Sequence, residues 1–84
     1  MYRAYAKVRI NLKSKREAEM VYRAIRPETL SSPTQRSRAE IILDENTLIL
    51  MIEASDTTAL RAAINSYLRW IMLIDETYKM LKSL

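Results

Sequence analysis

An α+β fold in the order βαββα is predicted for this chain, with a three-stranded antiparallel sheet and two helices on one face. Three observations predict it. Residues 3–12 alternate apolar and polar with a period of two, the signature of a strand with one buried face, and 39–43 and 48–54 carry apolar residues at every second position. Two other segments carry apolar residues at helical spacing behind good N-caps. The chain has 84 residues, enough for a single domain over residues 1–84 and little more.

In the first strand, residues 3–12, Ala4, Ala6, Val8, Ile10 and Leu12 face one way. Arg3, Tyr5, Lys7, Arg9 and Asn11 face the other. Ser14-Lys15-Arg16-Glu17 then reads as a capping box, with Ser14 as N-cap and Glu17 reaching back from N3. Ala18, Val21, Tyr22 and Ile25 form one apolar stripe on the first helix. Arg26-Pro27 is expected to end that helix, because a residue before proline is pushed out of the α region. Residues 27–37 hold both prolines and are read as a loop.

Ala39, Ile41 and Leu43 give one face of the second strand, and Asp44-Glu45-Asn46 gives a turn. Leu48, Leu50, Ile52 and Ala54 form the inner face of the third. Ile49 and Met51 make the third strand apolar on its other face too, which predicts a central position. A helix crossing over from the first strand to the second would leave that place open.

Ser55 and Asp56 are both N-cap residues, and no helix breaker follows until about Leu81. A helix of about 25 residues spans roughly 37 Å, against about 26 Å for a strand of eight residues. The helix should outrun the sheet.

Composition narrows the chemistry. With no His and no Cys, no imidazole acid–base pair, no Ser-His or Cys-His nucleophile and no ordinary zinc site can be built. With no Gly, a P-loop or dinucleotide fingerprint cannot be written. No convergent carboxyl pair is offered beyond the neighbours Asp75 and Glu76, which are expected on a solvated helix end. No catalytic, cofactor or metal residue is assigned, no small-molecule substrate is expected, and the reading is a non-enzyme that binds macromolecules. The longest apolar runs are too short to span a bilayer, so a cytoplasmic protein with no membrane partner is expected. A small core without disulfide or metal is commonly supplemented by self-association.

The seam Leu60, Ile64, Tyr67, Ile71, Ile74, Tyr78 and Leu81 repeats at intervals of four and three and is read as packing on the sheet. Trp70, Leu73 and Met80 lie on one flank of that seam, with Leu68 and Met72 on the other. The apolar arc is wider than a surface helix needs, and the flank is read as a partner surface. On the outer sheet face, Tyr5, Ile42, Ile49 and Met51 form an apolar group read as a dimer interface, beside Arg3, Lys7 and Arg9. Residues 1–40 carry ten Lys or Arg against four Glu, a balance of +6, whereas residues 41–84 balance at −2. The basic half supports an alternative: a free-standing nucleic-acid binder or transcriptional regulator. A KH module or an RRM is excluded for want of Gly and Phe.

The run Leu60-Arg61-Ala62-Ala63-Ile64-Asn65-Ser66-Tyr67-Leu68-Arg69-Trp70 resembles the second helix of the small Pcc-type (CTAG/Pcc) subunit of the KEOPS complex, the archaeal form in particular. Pro27-Glu28, Arg36, Arg38 and the passage from Leu48 to Asp56 fit the same pattern, over essentially the whole chain. The resemblance implies a homodimer with no activity of its own and no cofactor, in an assembly that installs threonylcarbamoyl on tRNA adenosine. It implies docking to the catalytic ATPase-fold subunit through the helices. The matching positions are Arg61, Asn65, Ser66, Tyr67 and Leu68, with Arg69, Trp70, Leu73 and Met80 beside them. Arg61 and Asn65 would orient contacts while the apolar flank fills the partner's helical groove. The resemblance leaves open whether Arg3, Lys7, Arg9, Arg36 and Arg38 touch tRNA or are ordinary surface.

Overall fold

The computed structural model describes residues 3–31 and 36–83. The elements follow in the order β1 (Ala4–Asn11), α1 (Lys15–Ser31), β2 (Ser37–Asp44), β3 (Thr47–Ala54) and α2 (Thr57–Lys82). The sheet order is β1-β3-β2, with both pairings antiparallel. Both helices cover one face, giving a two-layer α+β molecule.

β3 sits at the centre because it is the strand with apolar residues on both faces. Its inner residues Leu48, Leu50, Ile52 and Ala54 are fully buried. Leu48, Leu50 and Ile52 meet Val21 and Ile25 of α1, Ile41 of β2 and Ile71 of α2 in one cluster. The registers are unbroken, from Ala4 opposite Ala54 to Asn11 opposite Thr47 on one side, and from Ser37 opposite Ala54 to Asp44 opposite Thr47 on the other. Asn46 secures the same end, donating from Nδ2 to the Leu12 carbonyl at 2.7 Å while the Leu12 N–H donates to the Asn46 carbonyl at 2.9 Å.

Two boundaries differ from expectation. α1 does not stop at Arg26 but continues through Pro27 to Ser31. Thr29 lies in this extra turn, buried, with its hydroxyl donating to the Arg26 carbonyl at 2.7 Å. Burial of Thr29 and its hydrogen bond back to Arg26 favour the extra turn against the local bias away from helix before proline. The expected loop 27–37 therefore divides: 27–31 is helix, residue 37 opens β2, and residues 32–35 lie outside the described residues. The turn is also tighter than Asp44-Glu45-Asn46, since Asp44 still pairs with Thr47 and the loop is Glu45-Asn46 alone.

The helix caps match the sequence in part. The Glu17 N–H donates to Ser14 Oγ at 3.1 Å, and the Ala59 N–H donates to Asp56 Oδ1 at 2.7 Å, each satisfying a donor that the helix start leaves unpaired. The Glu17 carboxyl does not close the capping box; it is buried, and Asp75 of α2 is the chief cause of its raised pKa. α2 has 26 residues, about 39 Å at 1.5 Å per residue. It sets the long dimension of a molecule measuring 45 × 21 × 19 Å. Leu81, expected on the core-facing seam, is 65% exposed, because the helix has run past the sheet by then.

Glu45 has a φ of 58°, in the left-handed region where a Cβ costs roughly 1–2 kcal/mol. A hairpin loop of two residues requires such a φ, and the chain has no glycine to supply it. The Lys15–Glu45 ion pair, 3.4 Å between two exposed side chains, offsets little of that cost. Glu45→Gly should therefore stabilise the protein by about 1 kcal/mol, allowing for glycine's own entropic cost. In a thermal melt this is a rise of roughly 4–8 °C; an unchanged or lower midpoint would contradict the strain at this turn.

Candidate protein interaction surfaces

α2 presents three sides, each fixed by its angle from the sheet. Leu60, Ile64, Tyr67, Ile74 and Tyr78 lie half-buried along the seam, with Ile71 buried at its centre. On the flank toward α1, Trp70 is 41% exposed and Leu73 55% exposed, although both border Ala24 and Ile25. Their surfaces project past α1 because Ala24, the α1 residue facing them, is too short to cover them. Met80 stands still further out, at 70% exposed. Trp70 is braced by Tyr67, ring edge to ring face, with centroids 5.4 Å apart at 85°. Such a pair contributes about 0.5–1.5 kcal/mol beyond burial and fixes the indole's orientation.

The opposite flank carries Arg61, Asn65 and Arg69, all exposed, with Leu68 half-buried and Met72 exposed. Arg61 and Asn65 line a shallow depression with Thr57, Thr58 and Ala62. Ser66 is exposed too. The nine residues predicted to meet a partner share one helix, and Leu73 joins its two flanks: it lines one depression with Asn65, Leu68 and Arg69 and another with Trp70, Ala24 and Ile25.

Sequence reasoning missed part of the first surface. Met20 and Ala24 of α1, with Leu73, Ile74, Thr77, Tyr78 and Leu81 of α2, line an apolar groove of about 300 Å³ between the helices. Met20 and Ala24 are four residues apart on the side of α1 away from its core stripe. That spacing was the available signal.

On the outer face of the sheet, the predicted dimer residues come together. Ile49 pairs with Ile42 and Met51 is two residues along β3, while Tyr5, 80% exposed, lies diagonally across on β1. The charges around them differ by edge: β1 carries Lys7 and Arg9, with Arg3 just before it, whereas β2 carries Arg38 together with Glu40 and Asp44. The two groups of arginines proposed for tRNA therefore fall on opposite edges. Arg38 Nε lies 3.0 Å from Glu53 Oε2, and an Arg36 guanidinium nitrogen 3.7 Å from Asp56 Oδ1.

Among the described residues no group of three acidic or other metal-ligating side chains converges, and no helix is long and apolar enough to cross a membrane. Asp75 and Glu76 are not a solvated pair. Asp75 is largely buried, 15% exposed at the side chain, with Lys79 Nζ 3.0 Å from its Oδ2. That contact raises the Lys79 pKa, chiefly through the hydrogen bond and then through Asp75's charge. Glu17 meets Asp75 from α1, and its carboxyl is held above the usual range by the hydrogen bond to Asp75, by burial and by Asp75's charge.

The family model described as "Transcription factor Pcc1" matches residues 5–79. The chain belongs to the Pcc1 family. A curated relative, KEOPS complex subunit Pcc1 of Pyrococcus abyssi (strain GE5 / Orsay), is 41% identical over 69 residues, covering 82% of this chain and 84% of the relative. A solved structure, titled as the crystal structure of the binary complex Gon7-Pcc1, superposes with a TM-score of 0.84 over 96% of this chain and 99% of the other, at 18% identity. At that identity the match speaks for the fold alone. The Pcc1-family fold thus holds α2 with Trp70 outward and Ile71 inward.

These neighbouring residues should separate in stability measurements. Ile71→Ala should cost about 2–5 kcal/mol in urea unfolding, as buried large-to-small changes do. Trp70→Ala should cost about 1 kcal/mol, the share of its packing on Tyr67. Equal losses would place Trp70 in the core.

Proposed function

We propose that this chain is a non-catalytic, dimerising scaffold subunit of a KEOPS complex, the assembly that makes threonylcarbamoyladenosine in tRNA. In this reading it holds the catalytic ATPase-fold subunit through its helices. The observation that carries the proposal is the apolar flank of α2, with Trp70 and Leu73 standing exposed beside α1 and Met80 exposed further along, in a chain 41% identical to a KEOPS subunit. Large apolar side chains grouped beside a groove are what a partner helix requires. A rigidly braced indole is a typical anchor.

The second copy would meet the outer sheet face. Packing two sheets about an axis along β3 lays β1 of each copy over β2 of the other. Because Lys7, Met51 and Glu40 share one row, Lys7 would then oppose Glu40, while Met51 and Ile49 meet their own counterparts on the axis. An axis across the strands would stack the basic β1 on itself, which like charges oppose. Charge thus favours the first arrangement. The scaffold reading places the protein in the cytoplasm, with tRNA contact by Arg3, Lys7, Arg9, Arg36 or Arg38 occurring only inside the complex.

A free-standing nucleic-acid binder, the second reading, draws on the positive balance of residues 1–40. Against it, the basic residues lie on two separate edges, with Glu40 and Glu53 between or beside them. The readings differ in salt dependence, since phosphate-dominated binding weakens steeply with salt.

A tagged pull-down from native extract in high salt should retain the catalytic KEOPS subunit. Trp70→Ala should weaken that complex by about 2 kcal/mol or more with the fold intact by circular dichroism. Retention of no protein, with RNA or DNA bound only in low salt, would overturn the scaffold reading. Separately, Met51→Glu should convert a dimer to a monomer in analytical ultracentrifugation. A variant that remains dimeric would rule out the sheet face as the interface.

A further inference from the structure

α2 carries an exposed strip on the side away from its buried Ile71. Asn65, Leu68, Arg69, Met72, Leu73 and Glu76 line one shallow depression of about 350 Å³ there. At about 100° per residue, Asn65, Arg69, Met72 and Glu76 fall within about 60° of arc, flanked by Leu68 and Leu73. Asn65, Arg69 and Glu76 are exposed and Leu68 is half-buried. Met72 is 62% exposed. A helix packed on a sheet normally keeps this side polar, so Met72 and Leu73 at its middle are surplus to the fold.

The charges on the strip have a symmetry of their own. Arg69 stands three residues before Met72, and Glu76 three residues after Leu73. The two lie about 10 Å apart along the axis, and the ion pairs among the described residues include neither. A second α2, running antiparallel about a two-fold axis between Met72 and Leu73, sets Arg69 of each copy against Glu76 of the other. Met72 then meets Leu73, Asn65 meets the exposed Met80, and Leu68 meets Thr77. Sliding the register by seven residues either way stacks Arg69 on Arg69 or Glu76 on Glu76, which like charges oppose.

We propose that α2 pairs antiparallel with α2 of a second copy through this strip. A two-fold contact must be self-complementary, and the spacing of Arg69, Met72, Leu73 and Glu76 meets that condition; a partner of another kind would not require it. One helix from each copy makes a small interface of the transient class. The contact does not depend on the scaffold reading. The helices lie on the opposite side of the sheet from its outer face, so both self-contacts can form at once and link dimers into larger assemblies. Leu73 and Met80 also belong to the flank assigned to the catalytic subunit, so self-pairing and that docking exclude each other.

The chain has no cysteine, so single cysteines report the contact directly. Under a mild oxidant in low salt, Met72→Cys, beside the two-fold axis, should form a disulfide-linked dimer about tenfold faster than Arg61→Cys, an exposed site well away from it. Adding Arg69→Glu to Met72→Cys turns both ion pairs repulsive and should slow the linkage by about tenfold. Adding Glu76→Arg as well exchanges the charges across the axis and should restore the rate. Circular dichroism should be unchanged throughout, since all these side chains are exposed. Equal rates for Met72→Cys and Arg61→Cys, or a double exchange that leaves the linkage as slow as Arg69→Glu alone, would overturn the proposal.

Discussion

The architecture depends on β3 having no polar face to give to water. Its inner side chains are fully buried under both helices, its edges are taken by β1 and β2, and Ile49 and Met51 cover its outer side. Once this strand is central, the rest follows. The crossover through α1 must leave a vacant place, the hairpin must be tight, and α2 must return across the sheet. Both helices are then committed to one face, because a core of this size cannot fill two.

That arrangement leaves two unlike surfaces for binding. The helical side is wide in apolar character and poor in charge near its groove. The sheet side is apolar along its axis and charged at its rims, positive on β1 and mixed on β2. Each suits a different kind of partner: a helix pressed into a groove for the first, a flat and self-complementary face for the second. The scaffold proposal uses both at once, which one surface alone would not allow.

Much of the fold was legible in the sequence because period and position agreed. Ala4 to Leu12, Ser14, Asp56 and the pattern of β3 each carry a local signal that the tertiary structure reinforces. What was not legible depended on contacts distant in sequence. Pro27 reads as a helix end, and only burial of Thr29 shows why the helix continues. Glu17 reads as half of a capping box, whereas in the fold its carboxyl is buried and feels Asp75, 58 positions later. The outward stance of Trp70 could be read from its angle on the helix. The part played by Met20 needed the position of α1.

The alternation along the strands has a consequence for how the protein can change over generations. Residues on the outer sheet face contribute nothing to the core beneath, so substitutions at Tyr5, Lys7, Glu40 or Ile42 alter what the protein meets without altering how it folds. Core positions on the same strands are held by packing alone. Fold and outer-face recognition therefore answer to separate selection, residue by residue along one strand. Insertions and deletions have no such freedom. Removing one residue within β1 exchanges its faces, sending Lys7 and Arg9 toward the helices and Val8 and Ile10 into water.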